Sequence, residues 1–296
     1  MTTLSSSAIE PASRFSGFLK DVRGGFLRRL LVNPMSRIGL TLLFVIILLV
    51  TVGPIFWTVD PDLNNLAKRI APPSWAHPFG TDSLGRDVFA RVLHGGRVSL
   101  MLTFASVILS CLLGGVVGLV AGYLGGWVDA VLMRVNDVFL ALPFLLLALM
   151  ISVTLGPGLV NTIIALTVPA IPRDARLVRS AVLSVKQGDY VFAAHATGVR
   201  PSRIMFRHVL RNISSVVLVV VSVGMAHTLL AVAGLGFLGL GVQPPAPEWG
   251  AMLSDAQAYI VSNPVVVLVP GLAILITALA ANLVGDAFRD AFDTSR

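Results

Sequence analysis

The sequence has little charge and almost no cysteine. Asp, Glu, Lys and Arg make up 12% of its 296 residues, about half of the roughly 25% that is typical of soluble domains. The single cysteine, Cys111, excludes a disulfide within the chain and any metal site that needs several cysteines. The N-terminal stretch MTTLSSSAIEPASRF contains no apolar segment, so we expect no cleavable signal peptide.

Sequence signatures of catalysis and nucleotide binding are also missing. Four glycines lie at the end of an apolar run and could suggest a phosphate-binding loop: Gly234, Gly236, Gly239 and Gly241. No Gly-Lys-Ser or Gly-Lys-Thr occurs anywhere in the sequence, which argues against such a loop. No nucleophile, base and orienting residue stand together. The loop histidines show no metal-ligand spacing; they are His77, His94, His195 and His208. We therefore expect no enzyme activity, metal or cofactor in this chain.

Long apolar runs dominate what is present. Hydrophobic residues make up 55% of the chain and the mean hydropathy is +0.86. Because a bilayer core needs about 20 apolar helical residues, five runs predict spans: Ile38 to Val59, Leu100 to Leu124, Val138 to Leu155, Ile213 to Leu240 and Val265 to Val284. A shorter sixth run, Leu159 to Ile171, continues at helical spacing into Arg173 to Val185. The sequence predicts an all-α polytopic membrane protein with about six transmembrane helices.

The distribution of Lys and Arg predicts the orientation. The formal net charge is +7, and basic residues favour the cytosolic side in short flanking segments. The tail 1–37 is rich in them, as is 173–212, whereas residues 241–263 contain none. We therefore expect the tails 1–37 and 289–296 and the loop 173–212 in the cytosol, with 98–288 forming the five-helix core.

The segment 60–97 departs from that rule. Basic residues lie on its predicted outer side: Lys68, Arg69, Arg86, Arg91 and Arg97. Leu84, Val88, Phe89, Val92 and Leu93 recur at helical spacing. We therefore expect an amphipathic helix lying on the outer membrane surface, between the spans 38–59 and 98 onwards.

The cytosolic stretch DYVFAAHATGVRPSRIMFRHVL, Asp189 to Leu210, predicts two short helices. Gly198 suits a left-handed helix end, and Pro201 suits the first turn of the next helix. Ala194, Gly198 and Ile204 match the spacing of a DNA-reading helix-turn-helix. Two points argue against DNA binding. The neighbouring spans would hold such a domain against the membrane, and residues 173–212 supply no third helix or core of their own. Docking into a groove on a soluble partner and a plain solvated loop remain the alternatives.

Three further side chains have alternative interpretations. Arg134 and Asp137 lie three residues apart on one helix face. They are either an interfacial anchor pair or a contact with another subunit. His227 lies well inside a span, where an ionisable group is costly and often functional. It is either a packing residue in its neutral, hydrogen-bonded form or part of a substrate pathway.

The segment Ala193-Ala194-x-x-x-Gly198, with Leu210 twelve residues on, resembles the EAA loop of ABC importer permeases, which docks into a cytosolic ATPase. FGTDSLGRDVFARVLHGGRVSL, MRVNDVFLALP and GLGFLGLGVQPPAPEWGAML are similar to segments of the second permease subunit of dipeptide, oligopeptide and nickel importers. The resemblance spans about Pro34 to Arg289. Phe192, His195 and Arg211 depart from the usual acidic residue, Arg and Pro of that loop.

This resemblance implies a type I ABC importer permease architecture. It implies four kinds of partner: a homologous second permease, two cytosolic ATPases that bind ATP and Mg²⁺, an extracytoplasmic binding protein, and the lipid bilayer of a bacterial plasma membrane. It assigns ATPase coupling to Asp189, Ala193, Ala194, Gly198, Arg200, Pro201, Arg203, Ile204 and Leu210. A secondary transporter or channel is the alternative, although it would need paired intramembrane charges; a membrane-tethered DNA-binding regulator is more remote. The sequence does not separate peptide, nickel chelate and other solutes as the substrate.

Overall fold

A computed structural model describes residues 32–292, except the side chains of His195 and Phe292. Most of the predicted tail 1–37 and part of the tail 289–296 therefore lie outside the described residues. Apart from one bridge between Thr81 and Asp87, the described part contains no β-structure. We number its longer helices α1 (Pro34–Phe56), α2 (Val88–Leu124), α3 (Gly126–Leu140), α4 (Phe144–Leu155), α5 (Leu159–Lys186), α6 (Asp189–Ala196), α7 (201–212), α8 (Ser214–Phe237), α9 (Trp249–Ala256) and α10 (Val265–Phe292).

Within residues 32–292, four helices are long and apolar enough to cross a membrane: α1, α2, α8 and α10. The pair α3 and α4 adds a fifth if the two helices together form one span, and they meet at an angle of 85°. The predicted span from Val138 to Leu155 is therefore not one continuous helix: residues 138–140 end α3, and α4 begins at Phe144. Pro143 explains the break, because proline has no N–H to donate and disfavours helical backbone at the preceding residue.

Helix α5 covers the sixth predicted span. It runs without interruption through Pro169 and Pro172 to Lys186, which confirms the predicted continuation of the apolar run. Its first half is apolar, whereas its second half carries charges from Arg173 onwards, so α5 as a whole does not count among the apolar spans. Membrane insertion of residues 159–171 remains a prediction.

The prediction of a separate amphipathic surface helix within 60–97 is wrong. Val88 begins α2, which continues for 37 residues to Leu124. The Asp87 side chain accepts a hydrogen bond from Ala90 N at 2.6 Å and caps this helix. Val88 and Leu93 are buried in the protein, because the apolar face of the first turns packs against α1 and the loop that carries α9.

Glycines on one face of α2 allow its close approach to α5, the most extensive helix contact in the described chain. A Cβ added at Gly114 would lie 2.7 Å from the carbonyl oxygen of Ile171, and one at Gly122 would lie 2.9 Å from Val182 Cβ. At Gly118 an added Cβ would overlap the carbonyl oxygen of Ala175. Small residues at such positions are the usual means by which membrane helices approach closely.

Buried polar groups fix the end of the bundle where α2 begins. The Glu248 carboxylate accepts hydrogen bonds from Ser99 Oγ at 2.8 Å and from the backbone N–H groups of Gly250 and Ala251 at 2.9 Å each. It thus caps α9 and ties it to α2. Burial raises the pKa of the Glu248 carboxyl, while these three hydrogen bonds act in the opposite direction.

Salt bridges reinforce the same end. Arg86 Nε lies 2.6 Å from Asp82 Oδ2, and Arg91 Nη1 lies 3.2 Å from Asp62 Oδ1. Both arginines are buried. Two of the basic residues that depart from the charge rule in 60–97 are therefore buried and paired with acids of the same segment, which lowers their weight in an argument about membrane sidedness.

Candidate functional site

The segment 189–212 forms the predicted pair of short helices. Helix α6 ends at Ala196, Gly198 has φ +74°, and Pro201 occupies the first turn of α7. The turn closes through hydrogen bonds from Thr197 N to Ala193 O at 3.0 Å and from Val199 N to Ala194 O at 3.2 Å. Both the position of the glycine and that of the proline are confirmed. We call residues 189–212 the knuckle.

The knuckle rests on the ends of two long helices. Val191, Ile204, Val209 and Ile213 are buried and form one apolar cluster with Leu119 and Tyr123 of α2 and Val178 and Val182 of α5. A loop without a core was expected, and the structure shows that its core is shared with the helices that carry it. A displacement of the knuckle must therefore strain this cluster or move α2 and α5 as well.

The outer face of the knuckle contains an open groove of about 810 Å³. Gly198, Arg200, Arg203, Phe206 and Arg207 line it, and the Phe206 side chain is 59% exposed. Between 187 and 212 the chain has four arginines and one acid, Asp189. The groove thus combines an exposed ring with concentrated positive charge.

The predicted coupling residues divide into two groups. Exposed residues are Asp189, Ala193, Gly198, Arg200, Pro201, Arg203 and Leu210. Ala194 is half-buried, and Ile204 is fully buried in the shared cluster. Ile204 therefore supports the knuckle from below and does not present a surface to a partner. Of the residues that depart from the EAA pattern, Phe192 and Arg211 are exposed.

Two ion pairs join α3 to α5 beside the knuckle. Arg179 donates to both carboxylate oxygens of Asp129, at 2.5 and 2.6 Å, and Arg176 donates to Asp137 at 2.7 Å. Asp137 therefore pairs across to α5 and not with Arg134, as the anchor-pair interpretation required. Arg134 is exposed and makes no ion pair in the described chain.

The Asp129–Arg179 pair provides a test of this attachment. We expect Asp129→Ala to lower the stability of the purified protein by about 1 kcal/mol, because the pair is bidentate and only partly exposed. Arg134→Ala on the same helix is the control and should leave the thermal midpoint unchanged. Equal midpoints for the two variants would show that the Asp129–Arg179 pair does not hold α3 to α5.

A second cavity lies where α3 bends into α4. It has a volume of about 340 Å³, and its lining includes Leu142, Phe144, Pro169, Arg173 and His227. His227 is exposed and makes no hydrogen bond within the described residues, which does not fit a hydrogen-bonded packing role. Its ring meets Phe144 edge to face at 5.4 Å between centroids.

Several site residues carried no clear signal in the sequence. Ser110 Oγ donates to Asp174 Oδ2 at 2.8 Å in the contact between α2 and α5. Lys186 Nζ donates to the carbonyl of Tyr123 at 2.6 Å and satisfies an acceptor at the end of α2. A lone acid in the charged half of α5 could have indicated a buried pair, but its partner depended on the fold.

Comparison with known proteins identifies the family. Residues 114–296 match the model described as "Binding-protein-dependent transport system inner membrane component", and residues 23–73 match the "N-terminal TM domain of oligopeptide transport permease C". The dipeptide transport system permease protein of Alkalihalophilus pseudofirmus is 40% identical over 266 residues, which are 90% of this chain and 88% of that protein.

Two other relatives give the same picture. The di/tripeptide transport system permease protein of Pseudomonas aeruginosa is 42% identical over 261 residues, 86% of each chain. The glutathione transport system permease protein of Pectobacterium atrosepticum is 45% identical over 221 residues, 75% of this chain and 73% of that protein. The apolar helices, the knuckle and these matches together show that the chain belongs to the family of inner-membrane components of binding-protein-dependent transport systems.

Proposed function

We propose that this chain is the permease subunit of an ATP-driven ABC importer and forms half of the translocation pathway for peptides or a related small solute. Family membership and the peptide and glutathione permeases among its relatives support this proposal. The single structural observation that carries it is the basic groove of the knuckle, built on a core shared with α2 and α5.

The proposed complex has four further kinds of component. A homologous second permease completes the pathway, two cytosolic ATPases bind ATP and Mg²⁺, and an extracytoplasmic binding protein delivers the solute. The chain itself holds no cofactor and catalyses no reaction in this scheme. It is a multi-pass protein of the bacterial plasma membrane, with both termini and the knuckle in the cytosol and residues 60–87 outside.

The knuckle is the proposed contact with the ATPase. Exposed Ala193 and Gly198 allow close approach, while Arg200, Arg203 and Arg207 suit an acidic surface around an apolar pocket that takes Phe206. Because the buried side of the knuckle is continuous with α2 and α5, closure of the ATPases would displace these helices and switch the pathway between inward-facing and outward-facing states.

The test is affinity purification of the tagged chain in mild detergent, with mass spectrometry of its partners. Gly198→Val forces a β-branched residue into a left-handed backbone at a position with no neighbour within 4 Å, so its effect comes from backbone strain and not from a clash. Such strain costs roughly 1 to 3 kcal/mol, and we expect about tenfold less ATPase to be retained. The second permease should be recovered as from wild type.

Gly156→Val is the matched control. Gly156 has φ +80° and also no neighbour within 4 Å, but it lies between α4 and α5, away from the knuckle. Equal loss of ATPase from both variants would remove the knuckle as the coupling site. A chain that purifies alone, with uptake that resists ATP depletion and stops with an uncoupler, would instead establish a secondary transporter.

A further inference from the structure

We propose that the cavity at the bend between α3 and α4 is a station on the pathway that binds a carboxylate of the passing solute, with Arg173 as its cationic group and His227 beside it. This inference rests on the proposed function, since it presumes that a solute passes this chain. The cavity volume of about 340 Å³ lies within the range of small-molecule sites, roughly 300 to 1,000 Å³.

Arg173 is held in place from one side only. Its Nε and Nη2 both donate to Asp174 Oδ1 at 3.1 Å, and Asp174 is fixed in turn by Ser110. Its Nη1 donates no hydrogen bond to any residue in 32–292. Because the guanidinium is a planar fork with five donors, the edge that does not contact Asp174 remains able to bind a second carboxylate.

The two charges of this pair differ in exposure. The Arg173 side chain is 35% exposed and lines the cavity, whereas the Asp174 side chain is 1% exposed and does not. The pair has no net charge, but only its positive member, Arg173, lines the cavity. An anion in the cavity is therefore attracted by Arg173 at close range and repelled by Asp174 from farther away.

Helix α8 completes the polar side of the cavity. A Cβ at Gly224 would lie 3.4 Å from Arg173 Nη2, so the guanidinium of α5 reaches the surface of α8 at this residue. His227 lies one turn further along α8 and also lines the cavity. Its imidazole can donate a hydrogen bond to the same anion, because no described residue uses it.

The remaining walls suit the rest of a small peptide. Leu142, Phe144 and Pro169 are apolar and fix no orientation by hydrogen bonds. A site with apolar walls and a few convergent polar groups binds side chains loosely and a common charged group specifically. Every linear peptide with a free C-terminus carries that group, so such a station accepts many peptides and disfavours those without a carboxylate.

The experiment uses one introduced cysteine as a reporter in the intact purified complex. Leu142→Cys places a thiol in the cavity, and Val261→Cys places one on a surface loop, where the native side chain is 94% exposed. Each is modified with an anionic sulfonatoethyl or a cationic trimethylammonioethyl methanethiosulfonate. The extent of modification is read by mass spectrometry of this chain, which separates the reporter from buried Cys111.

We expect the ratio of anionic to cationic modification rates to be about tenfold higher at position 142 than at 261, because a focused positive field concentrates anions. Arg173→Lys should keep this preference. The double variant Arg173→Gln, Asp174→Asn should abolish it without leaving an unpaired buried acid. Alanyl-alanine should slow modification at 142 much more than alanyl-alanine amide does.

Equal rate ratios at the two positions, or a preference that survives the double variant, would overturn the proposal. Equal protection by the two peptides, or none, would reject the carboxylate as the recognised group. The comparison of the peptides needs no change at Arg173, so it holds even if the double variant does not assemble. Co-purification of the ATPases without any anion preference would reject this station alone and leave the importer function standing.

Discussion

Replacing Gly118 by alanine is expected to destabilise the protein by about 3 kcal/mol, since overpacking of a filled contact costs roughly 1 to 3 kcal/mol and sometimes more. The added Cβ would overlap the carbonyl oxygen of Ala175 and approach Arg179 N to 2.9 Å. Both are backbone atoms in α5, so no side chain can rotate away. The two helices would have to separate along their whole contact, which includes the cluster beneath the knuckle.

Gly115→Ala on the same helix is the control for this change. Nothing lies within 4 Å of a Cβ at Gly115, and alanine favours helical backbone over glycine. We therefore expect the thermal midpoint of the purified protein to fall clearly for Gly118→Ala and to stay or rise for Gly115→Ala. Similar midpoints for the two variants would contradict the close packing of α2 on α5.

Glu248→Ala is expected to cost at least about 3 kcal/mol, because it leaves several buried donors without an acceptor. These donors are the Ser99 hydroxyl and the N–H groups of Gly250 and Ala251. The truncation also opens a void beside Gly236, where Glu248 Oε2 now packs so closely that no Cβ would fit. The attachment of α9 to α2 and α8 should loosen.

Two variants delimit the cause of that effect. Glu248→Gln keeps the shape and one acceptor oxygen, so its loss of stability should be smaller than that of Glu248→Ala. Asp255→Ala removes another α9 carboxylate, which is about half exposed and lies 3.6 Å from Arg86, and should be nearly neutral. A midpoint for Glu248→Ala equal to that of Asp255→Ala would show that these hydrogen bonds contribute little.

Local chemistry explains what the sequence predicted well. Apolar runs located the four helices within residues 32–292 that are long and apolar enough to cross a membrane, because a bilayer allows few other solutions. The turn at Gly198 and the start at Pro201 follow from backbone preferences of those two residues alone. The bend at Pro143 could have been predicted by the same reasoning, but the unbroken apolar run on both sides of it favoured a straight span.

Long-range pairing explains what was missed. Asp129 pairs with Arg179, which is 50 residues away in sequence, and Asp137 pairs with Arg176, which is 39 residues away. No periodicity within α3 indicates either partner. The residues Val88 to Leu93 show an amphipathic pattern, and such a pattern is equally compatible with a helix on a membrane surface and with a helix packed against the protein interior. The structure decides for the interior: Val88 and Leu93 are buried, and Trp249 packs against that turn with its Nε1 donating to Val92 O at 2.9 Å.

The two prolines inside helix α5 determine where this helix can bend. Its 28 residues correspond to a rod of about 42 Å, but Pro169 and Pro172 cannot donate to the carbonyls of Ala165 and Val168. The rod therefore has a compliant joint immediately before Arg173. Torque applied at the Lys186 end would bend α5 at this joint, and the segment from 173 to 186 would carry with it the part of α2 around Gly118, which packs on Ala175.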